Sequence, residues 1–120
     1  RILVSGGTGY IGSHTVLALV EVGYTVTVFD NLCNSKKESL KRVRRLSGKP
    51  DAIEFVEADM LDQAAMDAVA KKHDYFACIH FAGLKAVGES VAKPVWYYDN
   101  NITGTLNLVK AMTAAGCKRI

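Results

Sequence analysis

Near its amino end the sequence runs Ile2-Leu3-Val4-Ser5-Gly6-Gly7-Thr8-Gly9-Tyr10-Ile11-Gly12. Three apolar residues, enough for a short buried parallel strand, lead into four glycines, and an apolar pattern of helical period then extends to Val20. A strand, a glycine-rich turn and a helix in this order are what a dinucleotide-binding motif requires. Its glycines permit a tight turn, a close approach to a pyrophosphate and close packing of helix on strand. The motif alone leaves an ordinary glycine-rich loop as the alternative.

An acidic residue lies where such a motif needs one. Asp30 ends a second apolar run, residues 25–29, close to the ~20-residue offset of a carboxylate that accepts hydrogen bonds from an adenosine ribose. A carboxylate there favours NAD over NADP, because a 2′-phosphate would meet a like charge. Lys36 and Lys37 lie nearby, so NADP stays open. The alternative role of Asp30 is that of a polar residue in the turn after a strand.

The composition is typical of one soluble globular domain. The 120 residues are 49% hydrophobic and carry a net charge of +3, and the basic residues between Lys36 and Arg45 predict a solvated helix face rather than a nucleic-acid site. The three cysteines, odd in number and without paired spacing, argue against a disulfide framework or a metal site and suggest a reducing, cytoplasmic compartment. No apolar run approaches the ~18 residues of a membrane span. We therefore expect neither membrane nor nucleic-acid partners.

Helices and strands alternate along the rest of the chain, which predicts an α/β fold. The pattern favours a doubly wound parallel sheet of the Rossmann type, with ligands at the carboxyl ends of the strands. Helices are predicted at 11–22, from Ser35 or Ser39 to Leu46, at 63–72, within 84–91 and at 96–115. Ser35 or Ser39 would cap the second helix, and Asp62 the third. Strands are predicted at 25–30, 53–57 and 75–81, with a fifth starting at 117. The alternation of charge in 53–57 indicates a strand near the sheet edge. We interpret residues 1–120 as the N-terminal part of such a domain, incomplete at the C-terminus, with residues 76–81 as an unpaired apolar edge.

A second group of candidate residues follows the predicted fourth strand. Small residues at a strand's carboxyl end let a ligand lie against the backbone, as Ala82 and Gly83 would. Lys85 offers a point charge to a phosphate or sugar hydroxyl, or else pairs with the carboxylate four residues on. His80 is expected to be a satisfied core histidine, and His14 and His73 to be surface residues. Adjacent asparagines at 100 and 101 are poor helix formers, so at least one should be buried and hydrogen-bonded near strand four or the ligand.

These motifs resemble a known family. Residues 5–15 are similar to the fingerprint of the extended short-chain dehydrogenases/reductases. More narrowly, residues 30–35, the run from His80 to Ser90 and the Tyr97-Tyr98-Asp99-Asn100-Asn101 block resemble the UDP-glucose 4-epimerase family. The resemblance covers essentially the whole chain, and the last two blocks are the most specific.

The resemblance implies a tightly bound NAD and UDP-galactose or UDP-glucose as substrate, with transient oxidation at C4 of the sugar, and a homodimer. It also implies which residues hold the cofactor. The pyrophosphate would lie on the glycine turn, the adenosine on the residues after strands two and three, and the nicotinamide side on the residues after strand four. The residues concerned are Gly6, Gly9, Tyr10, Ile11, Gly12, Asp30, Asn31, Asn34, Ser35, Asp59, Met60, Phe81, Ala82, Gly83, Lys85 and Asn100.

The family's catalytic base is a tyrosine with a lysine four residues on, and the chain lacks this pair. Tyr97 is followed at that distance by Asn101, and Tyr98 by Ile102. We therefore expect the Tyr-x-x-x-Lys motif and the UDP-sugar domain to lie beyond Ile120, and residues 1–120 alone to be inactive. The sequence leaves open another extended-family nucleotide-sugar enzyme, a dehydratase or decarboxylase, and a non-catalytic NAD-sensing module.

Overall fold

A computed structural model describes residues 1–120, and its centre is a parallel sheet. The strands are β1 (Ile2–Ser5), β2 (Val26–Asp30), β3 (Ile53–Glu57) and β4 (Ala77–His80), in the order β3-β2-β1-β4. All three neighbouring pairs are parallel. The predicted α/β fold with a doubly wound parallel sheet is therefore confirmed, and β3 lies at one edge as its charge alternation indicated.

The helices fill the crossovers between the strands. They are α1 (Tyr10–Glu21), α2 (Glu38–Ser47), α3 (Gln63–Lys71), α4 (Val87–Ala92), α5 (Pro94–Tyr98) and α6 (Thr105–Ala114), with a 3-10 turn at Pro50–Ala52 and a π-turn at Asp99–Gly104. The Asp62 side chain caps α3 by accepting a hydrogen bond from the Ala65 amide at 3.0 Å, as predicted. None of these helices has both the length and the apolar character needed to cross a membrane.

The core has two halves because the sheet is covered on both faces. On one face, Val4 and Val28 pack with Val16 and Val20 of α1. On the other face, Leu3 and Phe29 pack with residues of α3 and α6, among them Met66, Leu108 and Met112. Successive residues of a strand point to opposite faces, so β1 and β2 contribute alternately to both halves. The two layers of helices leave only the ends of the strands open to a ligand.

The predicted cap of α2 is wrong. Lys37 occupies the N-cap position, and no side chain caps that helix. Ser35 donates instead to the Asp30 carboxylate at 3.1 Å, and Ser39 donates to the backbone carbonyl of Thr8 at 2.8 Å. Both serines therefore join the loop after β2 to the glycine turn, because their hydroxyls bond to a carboxylate and a carbonyl oxygen there and not to the amides of α2.

The predicted helix 96–115 starts earlier and is interrupted. Pro94 is the first residue of α5, where its missing N–H costs no hydrogen bond, so it opens the helix rather than breaking it. The π-turn Asp99–Gly104 then separates α5 from α6. The sequence pattern did not predict this turn, since hydrophobic period alone does not separate one wide turn from a regular helix.

The outer edge of β4 is partly paired, which corrects the expectation of an open apolar edge. The amide of Cys78 donates to the Arg119 carbonyl at 2.8 Å, and the Arg119 side chain donates to the Phe76 carbonyl at 2.7 Å. The guanidinium also lies over the Phe76 ring, 4.0 Å from its centre. Residues 117–120 thus run beside β4, in the place predicted for a fifth strand, although they do not form a regular strand.

Candidate nucleotide-binding cleft

A cleft of about 280 Å³ opens at the carboxyl ends of β1, β2 and β4. The structure brings together there every residue predicted for the site except Ser35 and Asp59. It adds four residues that the sequence reasoning missed, namely Phe29, Cys33, Ala58 and Leu84. These four are neighbours in sequence of predicted residues, and that adjacency was the one signal that pointed to them.

The glycine turn has its shape because side chains would not fit. Gly6 adopts a φ of +65°, and a Cβ there would lie 2.6 Å from the amide nitrogen of Ala82. A Cβ on Gly12 would lie 2.8 Å from the Cα of Gly7. Backbone atoms cannot move aside as flexible side chains do, so both positions require glycine. Gly6 and Gly12 therefore shape the turn that links β1, α1 and β4.

The amino end of α1 offers unused hydrogen-bond donors to the cleft. The first helical backbone bond runs from the Ser13 amide to the Gly9 carbonyl at 2.9 Å. The amides of Tyr10, Ile11 and Gly12 make no hydrogen bond within the chain. The first turn carries no acidic side chain that would compete for them. Free amides at the positive end of a helix dipole form a binding site for an anion such as a phosphate.

Asp30 lines the cleft at the end of β2 and is 7% exposed. One carboxylate oxygen accepts from the amide of Leu32 at 2.9 Å and from the Ser35 hydroxyl at 3.1 Å. The other lies 3.3 Å from the Thr8 amide in the glycine turn. Leu32 has a φ of +60°, so Asp30 also holds a strained turn. Asp30 is therefore a turn residue, the alternative role considered from the sequence, and it also lies on the cleft wall.

Asp59 and Ser35 stand behind the cleft wall rather than in it. Asp59 accepts a hydrogen bond from the side chain of Asn31 at 2.9 Å and from the Leu61 amide at 2.8 Å. Ser35 links Asp30 to the hydroxyl of Thr8, which is 2.6 Å away. Each therefore fixes a residue that lines the cleft. Both residues therefore lie next to the lining of the cleft and not among the residues that form it.

Two lysines near the cleft differ in what they contact. Lys37 makes a 2.6 Å ion pair with Glu57 and lies over the Phe55 ring. Lys85 lines the cleft, and the pairing with Glu89 considered from the sequence does not form. Glu89 instead contacts Lys93 at 3.4 Å. Lys85 is thus available to a ligand, whereas Lys37 is held at the outer edge of the sheet.

The far wall of the cleft is built by the asparagine pair. Asn100 is 8% exposed and lines the cleft. The Asn101 side chain accepts from the backbone amide of Leu84 and donates to the Leu84 carbonyl, both at 2.8 Å, and it accepts from the side-chain Nδ2 of Asn100 at 2.9 Å. The expectation of a buried asparagine hydrogen-bonded near strand four is met. The pair holds the segment after β4 against the helical region.

The histidines are satisfied rather than free. His80 contacts the hydroxyl of Ser5 at 2.5 Å and that of Thr105 at 2.9 Å, and burial lowers the pKa of its imidazole. His14 contacts the Tyr10 carbonyl at 2.8 Å on the surface. His73 departs from the expectation of a plain surface residue, because it makes a 2.7 Å contact with Glu54. None of the three points to a catalytic base in the cleft.

Comparison with known proteins gives the class to which this fold and cleft belong. Residues 3–120 match the family model described as GDP-mannose 4,6 dehydratase. The chain therefore belongs to this family of extended short-chain dehydrogenases/reductases.

Individual relatives narrow the similarity to UDP-glucose 4-epimerases, which confirms the resemblance found in the motifs. The chain is 56% identical to the UDP-glucose 4-epimerase of Klebsiella pneumoniae, and the match covers 98% of this chain and 84% of that relative. It is 54% identical to the enzyme of Bos taurus, of which it covers 36%. A Bifidobacterium longum UDP-glucose 4-epimerase in complex with NAD+ and UDP superposes with a TM-score of 0.92 at 46% identity, over 98% of this chain and 34% of that one. The chain thus spans about a third of the length of the latter two proteins.

Proposed function

We propose that the protein interconverts UDP-galactose and UDP-glucose with NAD as its cofactor, and that residues 1–120 supply the N-terminal part of the NAD-binding domain. The observation that carries this proposal is the cleft, in which free helix amides, a ribose-side carboxylate and an unpaired lysine converge. The identity to UDP-glucose 4-epimerases of at least half the residues over nearly the whole chain supports it. The domain that binds the UDP-sugar would lie outside these residues.

The residues of the cleft fit NAD. The amides of Tyr10, Ile11 and Gly12 suit the pyrophosphate, and Gly9 presents no side chain that would keep it away. Asp30 suits the adenosine ribose, with Asn31 and Met60 beside it. The segment after β4 would then face the nicotinamide. Bound NAD supplies reversible hydride acceptance from C4 of the sugar, while the chain binds and orients it.

The charges around Asp30 favour NAD over NADP. A 2′-phosphate would meet the buried Asp30 carboxylate, which is unfavourable at short range. Lys37, which could soften this repulsion, is engaged with Glu57 at 2.6 Å. Asp30 also accepts three hydrogen bonds and cannot turn away without breaking them. We therefore infer that the charge at Asp30 makes NAD the preferred cofactor over NADP.

The experiment incubates the full-length protein with UDP-galactose and follows both products and NADH. An epimerase yields UDP-glucose without net NADH. A dehydratase, the activity that the family description names, would yield a stable keto sugar instead. Absence of any turnover together with absence of a Tyr-x-x-x-Lys motif after Ile120 would favour the NAD-sensing module.

A matched pair of variants tests the cofactor part of the proposal. Asp30→Ala should weaken NAD binding by about tenfold or more, since a charged hydrogen bond contributes about 1.5–3 kcal/mol. The control is Asp74→Ala, which changes an exposed aspartate at some distance from the cleft. Unchanged NAD affinity in Asp30→Ala would contradict the ribose assignment.

We further propose a homodimer and a cytoplasmic location. The helical region from α5 to α6 exposes Val95, Tyr98, Ile102 and Leu106, which are 50–72% accessible. An apolar surface of this kind on a helix pair suits a second copy of the chain. Three free cysteines suit a reducing compartment. Sedimentation of the full-length protein with Ile102→Asp tests the dimer, and a variant that sediments like wild type would contradict this surface.

A further inference from the structure

The π-turn Asp99–Gly104 is hydrogen-bonded to a side chain outside it. Such turns are rare and occur often at functional sites, because their wider hydrogen-bond pattern changes which carbonyl each amide meets. The Thr105 hydroxyl donates to the carbonyl of Asn101, within this turn, at 2.8 Å. The same hydroxyl oxygen is 2.9 Å from Nε2 of His80 at the end of β4. Thr105 therefore connects the turn to the sheet.

The donors and acceptors in this connection have a single possible order. The carbonyl of Asn101 can only accept, so the Thr105 hydroxyl uses its hydrogen there, at 2.8 Å. The Thr105 oxygen therefore accepts the ring proton of His80 from Nε2. In the neutral ring Nδ1 is then the acceptor and receives the Ser5 hydroxyl hydrogen, while the Ser5 oxygen accepts from the Ala82 amide at 3.3 Å and shares the Phe81 amide with the Ser5 carbonyl. Burial lowers the pKa of His80, in agreement with the neutral ring that this order needs.

Two adjacent side chains of the π-turn, those of Asn100 and Asn101, lie beside the segment that follows β4. In a regular α-helix, neighbouring residues point about 100° apart around the axis. Here Asn100 lines the cleft, while Asn101 grips both the amide and the carbonyl of Leu84. The side-chain Nδ2 of Asn100 also donates to the Asn101 side-chain oxygen at 2.9 Å. The register of the turn thus sets where the Asn100 and Asn101 side chains lie relative to the segment after β4.

We propose that His80 and Thr105 are positioning residues for the cofactor, which hold the π-turn so that Asn100 and the segment from Ala82 to Lys85 face it correctly. This inference rests on the proposed function in that it takes NAD as the ligand of the cleft. Neither His80 nor Thr105 lines the cleft, so they act through Asn100 and not by touching the cofactor. A purely structural role would change the stability of the protein and leave its cofactor affinity unchanged.

The test uses the full-length protein and Thr105→Val, which removes the hydroxyl and keeps the side-chain shape. The control is Thr103→Val, because Thr103 lies in the same turn, is exposed and makes no side-chain hydrogen bond in the structure. The NAD dissociation constant is measured well below the unfolding temperature. We expect Thr105→Val to weaken NAD binding about tenfold, because its two hydrogen bonds to His80 and Asn101 are lost, and Thr103→Val to change it less than about twofold.

A double-mutant cycle shows whether the effect passes through Asn100. If it does, Thr105→Val should add little to the loss caused by Asn100→Ala, whereas independent effects would multiply to about a hundredfold. Independence, or a lower unfolding temperature with unchanged NAD affinity, overturns the proposal.

His80 gives a second route if Thr105→Val folds poorly. His80→Gln keeps one acceptor and one donor and should retain NAD affinity within about threefold, while His80→Leu should lose it like Thr105→Val. Equal affinities of the two His80 variants would overturn the proposal. A protein that binds NAD but leaves UDP-galactose unchanged would refute the proposed function alone, and a protein that does not bind NAD would refute both.

Discussion

Polar side chains cluster at both ends of the sheet, and the two clusters differ in kind. At the carboxyl end, Ser5, His80 and Thr105 form a neutral chain with one order of donors. At the amino end, the Glu54 carboxylate pairs with two cations, Lys72 at 2.6 Å and Arg1 at 3.6 Å, and His73 contacts it at 2.7 Å. The first cluster adjoins the cleft, and the second is as far from it as the strands allow.

The cluster at the carboxyl end therefore fixes the positions of atoms, whereas the cluster at the amino end stabilises the fold. A neutral, directional chain gains little energy overall but fixes where each atom lies, because each of its hydrogen bonds needs a donor and an acceptor at a narrow range of distances and angles. A carboxylate among several cations gains energy without a unique arrangement, since charge attraction depends weakly on direction. We therefore expect changes at the carboxyl end to alter ligand binding and changes at the amino end to alter stability.

The largest expected effect is at the carboxyl end, in Gly6→Ala. The new Cβ would lie 2.6 Å from the Ala82 nitrogen, and the residue would keep a φ of +65°. Left-handed strain and overpacking against backbone together cost about 2–5 kcal/mol. Denaturant unfolding of the full-length protein measures this cost, and the NAD retained after gel filtration should fall with it.

Gly88→Ala is the matched control for this change. Gly88 lies in α4 with nothing within 4 Å of the place its Cβ would take. Alanine has the higher helix propensity, so the control should be neutral or more stable by up to about 1 kcal/mol. If Gly6→Ala behaved like this control, the glycine turn would not be set by close packing.

The residues of the carboxyl end were unequally predictable from sequence. Gly6 and Asp30 could be found because close packing and a ribose-side charge each demand one residue type at a fixed spacing. Asp59 is predicted for the site as well, and in the structure it lies beside the cleft lining, where it hydrogen-bonds to Asn31 and Leu61. The π-turn and the role of Thr105 escaped prediction, since they depend on a partner 25 residues away in sequence. Spacing reports local constraints, whereas such contacts exist only once the sheet has formed.

A smaller effect is expected at the amino end, in Glu54→Gln. Burial tends to raise the pKa of Glu54, but hydrogen bonds from Lys72, His73 and Thr27 outweigh it and lower the pKa from 4.5 to about 2. A depressed pKa stabilises the fold above pH ~4.5, and this stabilisation is lost as the pH falls towards 2. Solvent reaches the ion pairs of Glu54 and weakens them. We therefore expect Glu54→Gln to lower the free energy of unfolding at pH 7 by about 1–2 kcal/mol.

Unfolding of the full-length protein at a series of pH values measures this effect. Glu54→Gln should flatten the decline in stability below pH ~4.5, and its NAD affinity should stay at the wild-type value. Glu38→Gln is the control, because Glu38 makes exposed pairs with Lys41 and Arg42, each at 3.7 Å, and such pairs contribute less than about 1 kcal/mol. A variant of Glu54 that loses NAD at full stability would break the separation between the two ends.

The smallest effect uses Cys33 as a reporter of the carboxyl end. Cys33 is exposed and lines the cleft, whereas Cys78 and Cys117 are buried, and burial raises the pKa of Cys78 to about 12. Alkylation should therefore select Cys33. Burial and the nearby carboxylates of Asp30 and Asp59 raise the pKa of this thiol, so the alkylation rate of Cys33 should still rise with pH above 9, since the thiolate is the nucleophile.

If NAD occupies the cleft, NAD at ten times its dissociation constant should slow the alkylation of Cys33 about tenfold, because the fraction of protein without NAD falls. Glu54→Gln should leave this protection intact and Gly6→Ala should abolish it, and equal protection in both variants would refute the contrast between the two ends.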